Sequence, residues 1–172
     1  DRSVSRGLGD VYKRQYMGYA VGSAPVISYH YGAGNKDELK NLFKRSLTII
    51  IVSSVVMTLI AEIIAGYLAG IFVSYDNNLL ELTTEAIRIY AVSYLISGVN
   101  IFASSFFTAL NNGVVSAVIS FMRMFVFQIV MILLLPVVLG ISGIWTAVIA
   151  AEVLSVVISV MFLVKNRKKY SY

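Results

Sequence analysis

The sequence predicts an all-α integral membrane protein, made of the end of one helix plus four transmembrane helices. Hydrophobic residues fill 58% of its 172 positions and charged residues 13%, whereas in soluble domains charged residues alone reach about a quarter. Four apolar stretches are each long enough to cross a hydrocarbon core of ~30 Å at ~1.5 Å rise per residue. Basic residues gather in two connections separated by an even number of spans, as cytoplasmic loops do.

Residues 1–15, DRSVSRGLGDVYKRQ, hold four Lys or Arg and two Asp with no helical or strand period. Without them the formal charge falls from +5 to +3. From Tyr16 onward Ile, Val, Leu, Ala and Ser dominate, so a boundary is expected at Gln15, with 16–172 as one partial membrane lobe. Residues 16–31 are too short to cross and run into Gly32, Gly34 and Asn35, which reads as the tail of a helix lacking its start. Residues 47–72 form the first complete span, with Glu62 as its one charge. The spans 86–110, 115–139 and 142–164 come next, the third containing Pro136 and ending before Gly140.

Lys36, Lys40, Lys44 and Arg45 precede the first complete span, and Lys165, Arg167, Lys168 and Lys169 lie beyond the last. Both groups are expected on the cytoplasmic side, with the C-terminus there and the protein a multi-pass component of the cell membrane. Asp76, Glu81 and Glu85, against Arg88, are expected in an outer loop. Tyr29, Tyr31, Tyr67, Tyr75 and Tyr170 fall near span ends, where aromatic residues mark the interface.

Each complete span carries a polar stripe at helical spacing. Ser93, Ser97, Asn100, Ser104, Thr108 and Asn111 recur every three or four residues and share a face that should avoid lipid. Ser54, Thr58, Glu62, Ala65 and Ala69 do the same on the first span, which aims Glu62 into the bundle. Ser116, Ser120 and Arg123 make half of the third span polar, and Glu152, Ser155 and Ser159 line the fourth. Such stripes serve either close helix packing or the lining of a cavity, with Ser93, Ser97, Asn100, Ser104 and Thr108 the cavity-lining candidates. Glu62 and Glu152 carry charge to membrane depth, where ionisable groups mark ion paths or need a partner, and they are the candidates for coupling to a cation or a proton. Arg123 either snorkels or braces neighbouring carbonyls.

Catalytic chemistry finds no set of residues here. The chain has no cysteine and a single histidine, His30, so neither thiolate sites nor a histidine metal cluster can be assembled, and no catalytic residue, metal site or cofactor is expected. A lone His at a membrane boundary reads as a hydrogen-bonding surface group. A phosphate-cradling glycine loop is missing from the sequence, and nucleic acid is not an expected partner. Polar-faced packed helices without an ATP site point to a secondary transporter, driven by an ion gradient.

The stretch GYAVGSAPVISYHYGAGN, with the basic loop after it, resembles a segment of multidrug and toxic compound extrusion (MATE) transporters. Gly18, Gly22, Pro25, Ser28, Tyr29, Tyr31, Gly32, Ala33 and Asn35 match the family's pattern, Val26 stands for Ile, and His30 replaces the usual Asn. Residues 120–152 resemble the family's penultimate helix and the turn into the last, with Arg123, Pro136, Gly140, Gly143, Trp145 and Glu152 in order. The resemblance implies a twelve-helix transporter of two lobes, of which this chain is the partial C-terminal lobe, from the end of the eighth helix through the twelfth. It implies efflux of small cationic, amphipathic organic compounds in exchange for Na⁺ or H⁺, with the lipid bilayer and the missing N-terminal lobe as partners. A flippase of lipid-linked saccharides and a non-transporting membrane scaffold subunit stay open as alternatives. Residues 5–15, SRGLGDVYKRQ, resemble the translation of a sequencing-library adapter ending in a transposon mosaic end, which would make 1–15 non-native and account for the shortened helix.

Overall fold

The computed structural model describes residues 3–73 and 75–172, with side chains described from residue 13 onward except at 141. It consists of α1 (Ser3–Gly32), α2 (Lys36–Val73), α3 (Asn77–Ala109), α4 (Gly113–Phe121), a π-helical stretch (Met122–Phe127), α5 (Gln128–Leu139) and α6 (Ile141–Tyr170). The π-helical stretch joins α4 to α5 in one rod, so four helices among the described residues are long and apolar enough to cross a membrane: Lys36–Val73, Asn77–Ala109, Gly113–Leu139 and Ser142–Tyr170. This is the all-α membrane fold, with four spans behind a leading helix.

The helices outrun the apolar segments that announce them. α2 has 38 residues, roughly 57 Å of rise, and therefore overshoots a ~30 Å core. Backbone hydrogen bonding does not stop at the water boundary, so hydropathy marks the crossing and not the helix ends. α1 likewise starts at Ser3 and passes Gln15 unbroken. Of the segment 1–15, residues 1 and 2 and the side chains of 3–12 lie outside the described residues. The loop between α2 and α3 is also shorter than its charges suggest. Asp76 caps α3 by accepting from the backbone N–H groups of Asn78 (2.9 Å) and Leu79 (3.3 Å), which leaves Glu81, Glu85 and Arg88 on the helix itself.

The motif that ends α1 has a plain backbone explanation. The N–H groups of Ala33, Gly34 and Asn35 donate to the carbonyls of Tyr29, Tyr31 and His30, closing the last turn, and Gly34 takes a positive φ of 71° that disfavours a side chain. Asn35 then accepts from the Glu38 N–H at 3.2 Å and starts α2. Ser28 donates to the carbonyl of Ala109 at 2.9 Å, satisfying an orphan acceptor in the last turn of α3. Gly22 and the in-helix Pro25 face outward. Tyr29 is exposed and meets the His30 ring edge-on, at 5.3 Å between centroids. His30 is half-buried, and its Nδ1 is buried without a hydrogen-bond partner.

α3 is the centre of the bundle and packs against α1, α2, α4 and α6. Gly98 makes the closest approach possible: a Cβ there would lie 2.8 Å from Ser54 Oγ and 3.1 Å from the Tyr16 ring. At the end of the bundle where α1, α3 and α6 finish, Phe43, Phe102, Phe106 and Phe107 form an aromatic cluster with Tyr170 and Tyr172. Tyr170 is buried in this cluster rather than placed in an interfacial belt, and its hydroxyl accepts from Asn112 at 2.9 Å. Ser171, at φ 59°, turns the chain back so that Tyr172 donates to the Leu163 carbonyl at 2.8 Å. Burial, then the neighbouring Tyr170, pushes the Tyr172 phenol above the ordinary tyrosine range, against a smaller opposing pull from Arg167.

Candidate functional site

Four side chains from three helices converge where lipid-crossing segments are deepest. Asn100 on α3, Arg123 in the π-helical stretch and Glu152 on α6 each lie at least eight residues from either end of the apolar segments 86–110, 115–139 and 142–164, which is roughly 12 Å of helix rise. Asn100 donates through Nδ2 to Glu152 Oε2 at 2.7 Å and to the Glu152 carbonyl at 3.2 Å. Ser159, two turns along α6, donates to Asn100 Oδ1 at 2.9 Å and fixes which way the amide faces. Arg123 Nη1 lies 3.5 Å from Glu152 Oε1, and the two side chains are 15% and 8% exposed. Glu152 Oε2 therefore accepts the Asn100 hydrogen bond while Oε1 faces the guanidinium in an ion pair. Charge and countercharge sit together, which offsets the cost of carrying either one to this depth.

The backbone that delivers Arg123 is unusual. Residues 122–127 are π-helical, and such a widened turn inserts an extra residue into the hydrogen-bond ladder and rotates the helix beyond it. Arg123 thus does not snorkel to an interface; it is held inward by Glu152. Near the other end of that rod, Pro136 sits in the last turn of α5, and Gly143 lies so close to the Leu135 carbonyl that a Cβ would collide with it. Gly140, at φ 63°, makes the reversal between them.

Next to the acid cluster lies a group of hydroxyls. Ser104 shares hydrogen bonds with Ser116 (3.0 Å) and Ser120 (2.7 Å), and Thr108 shares one with Ser116 (2.7 Å). The stripe on α3 is buried at Ser93, Ser97 and Asn100, half-buried at Ser104, and exposed at Thr108. Ser93 and Ser97 turn back on carbonyls of their own helix, Tyr90 and Ser93. Asn111 has left the helix, at φ 57° in the turn to α4. The stripe is thus graded along its length, and its last two members escape burial because α3 ends beside them.

Glu62 does not point into the bundle. The buried face of α2 runs through Ser54, Thr58, Ala61, Ala65 and Ala69, and Glu62 stands beside it, facing Arg88 on α3 at 3.8 Å with 36% and 59% of the two side chains exposed. One residue of register, about 100° of rotation, separates Glu62 from the buried Ala61. Among the described residues, no three His, Cys, Asp or Glu side chains come close enough to share a metal ion. All four members of the cluster were visible as polar groups in apolar segments; their meeting, and the π-helical turn, were not. An Asn in the middle of one span and a Glu in the middle of another are the signal that could have suggested a pair.

A family model described as MatE matches residues 12–134, most of the chain. The chain belongs to the MatE family. Its structure is similar to that of an inward-facing multidrug resistance MATE family transporter of the MOP superfamily, at TM-score 0.85 and 16% identity over 95% of this chain. It is also similar to the Vibrio cholerae MATE transporter VcmN in the bent form, at TM-score 0.79 and 16% identity, again over 95% of this chain. At such low identity the likenesses establish the MATE fold. The chain spans 38% and 39% of the lengths of those two structures. Comparison with curated proteins gave no match.

Proposed function

We propose that this MatE chain is part of a secondary active transporter, not an enzyme, that exports cationic amphipathic compounds in exchange for Na⁺ or H⁺. Its C-terminus and the basic end of the bundle face the cytoplasm. The observation that carries the reading is the deeply placed Glu152, held between Asn100 and Arg123 in a MATE fold. The drug, the coupling ion and a further lobe complete the reading.

In this proposal Glu152 is the coupling group and Arg123 its resident counterion. A cation or proton arriving at Oε1 competes with Arg123, because the carboxylate carries one negative charge to share. A monovalent ion moving down about 100 mV gains about 2.3 kcal/mol, and an unpaired arginine at mid-membrane costs about 2.5–3.5 kcal/mol on insertion scales. The ion alone falls short, so the guanidinium must find new acceptors as it leaves. The hydroxyls of Ser120 and Ser116, one and two turns back along the same rod, are such acceptors. The π-helical turn that carries Arg123 is of the kind frequent at functional sites. Efflux of a fluorescent organic cation from vesicles containing the full-length protein, under imposed Na⁺ or H⁺ gradients, tests the reading. Movement that neither gradient alters, or no movement at all, overturns it.

A further inference from the structure

At the basic end of the bundle a groove opens between the start of α2 and the end of α6, with a volume of about 230 Å³. Its charged members are Lys40, Lys44 and Arg167, and its apolar members are Phe43, Leu163, Val164 and Tyr172. The ion pairs among the described residues are those of Glu62 and Glu152, so none of the three cations is paired with a carboxylate side chain, although Asp37 and Glu38 lie on the same first turns of α2. Arg167 donates its Nε–H to the main-chain oxygen of Tyr172 at 3.3 Å, which holds the guanidinium at the groove instead of letting it swing through solvent. The cations come from the start of α2 and the end of α6, and the apolar wall lies one turn deeper on α6.

That wall continues along the bundle surface. Val164, Met161, Val160 and Val157 succeed one another on one face of α6 and are all exposed, between 46% and 67%. Together they form an apolar lane roughly 10 Å long that starts beneath the three positive charges. A soluble phosphate would have no use for the lane, and a neutral lipid none for the charges.

We propose that this groove binds an anionic phospholipid, with the headgroup phosphate among Lys40, Lys44 and Arg167 and an acyl chain along Val164, Met161, Val160 and Val157. Three cations from two helices then clamp the ends of α2 and α6 around one lipid.

Native mass spectrometry of the full-length protein in neutral detergent, titrated with phosphatidylglycerol or phosphatidylcholine, tests the site. Replacing Lys40, Lys44 and Arg167 with Gln should weaken phosphatidylglycerol binding by at least roughly tenfold. Replacing Lys36, Lys168 and Lys169 with Gln removes equal charge from the same end outside the groove, and should leave the affinity within about twofold of the unaltered protein. Phosphatidylcholine should bind more weakly than phosphatidylglycerol, and millimolar inorganic phosphate should not displace the bound lipid. Equal losses in the two triple variants, full binding by the groove variant, equal affinity for the two lipids or displacement by inorganic phosphate would each overturn the proposal. Should the groove variant fail to fold, Val164→Trp, which blocks the lane with every charge in place, should still lower phosphatidylglycerol occupancy; unchanged occupancy would be equally decisive against it.

Discussion

Glu62 with Arg88 and Glu152 with Arg123 are the same two functional groups at nearly the same separation, 3.8 and 3.5 Å. Their surroundings differ. The first pair lies beside the buried face of α2 and meets its surroundings with over a third of each side chain; the second is enclosed and has Asn100 and Ser159 arranged around it. Because over a third of each side chain in the first pair is left open to groups beyond α2 and α3, neither partner there depends on the other alone. In an enclosed pair each partner is the other's solvent, so loss of one leaves a bare charge. The proposed ion-coupling role is therefore placed on Glu152 and not on Glu62.

Removing one member of the enclosed pair should break the comparison most visibly. Arg123→Met or Glu152→Met alone should cost about 3–5 kcal/mol, seen as a large fall in the thermal unfolding midpoint of the full-length protein in detergent. The double variant should recover most of that loss, since no bare charge remains. If both single variants melt like the unaltered protein, the pair is not enclosed in the assembled transporter.

Asn100→Leu should rank next, at about 1–3 kcal/mol, by depriving Glu152 of its amide donor and Ser159 of its acceptor. Gradient-driven efflux should fall further in this variant than in Leu95→Ala, whose side chain is exposed on the same helix; equal effects would reduce the α3 stripe to packing. Gly98→Ala tests packing by itself. Its new Cβ would meet Ser54 Oγ, Ile50 Cγ2 and the Tyr16 ring within 3.1 Å, for a loss of about 1–2 kcal/mol by overpacking. An unchanged melting midpoint would show that α2 can move away.

The smallest effect should belong to the other pair. Glu62→Gln should lower the melting midpoint less than any of the variants above, and should keep the response of efflux to the ion gradient that Glu152→Gln loses. Loss of that response in Glu62→Gln, with Glu152→Gln unaffected, would reverse the assignment.

Composition and periodicity alone determined the all-α membrane class, the four spans, the helix end at Gly32, Gly34 and Asn35 and the polar character of Asn100, Arg123 and Glu152. These are matters of local physics. A lipid-crossing segment must be long and apolar, and a helix must cap its ends wherever it lies. Tertiary structure alone decided that Arg123 meets Glu152 while Glu62 turns aside to Arg88, that Tyr170 and Tyr172 are core residues, and that a π-helical turn interrupts the third span. A rotation of about 100° per residue separates a buried position from its neighbour on a helix, so small errors of phase, accumulated over spans and set by a turn such as 122–127, decide which charge faces a partner. No local pattern carries that phase, because it is fixed by which helix lies opposite.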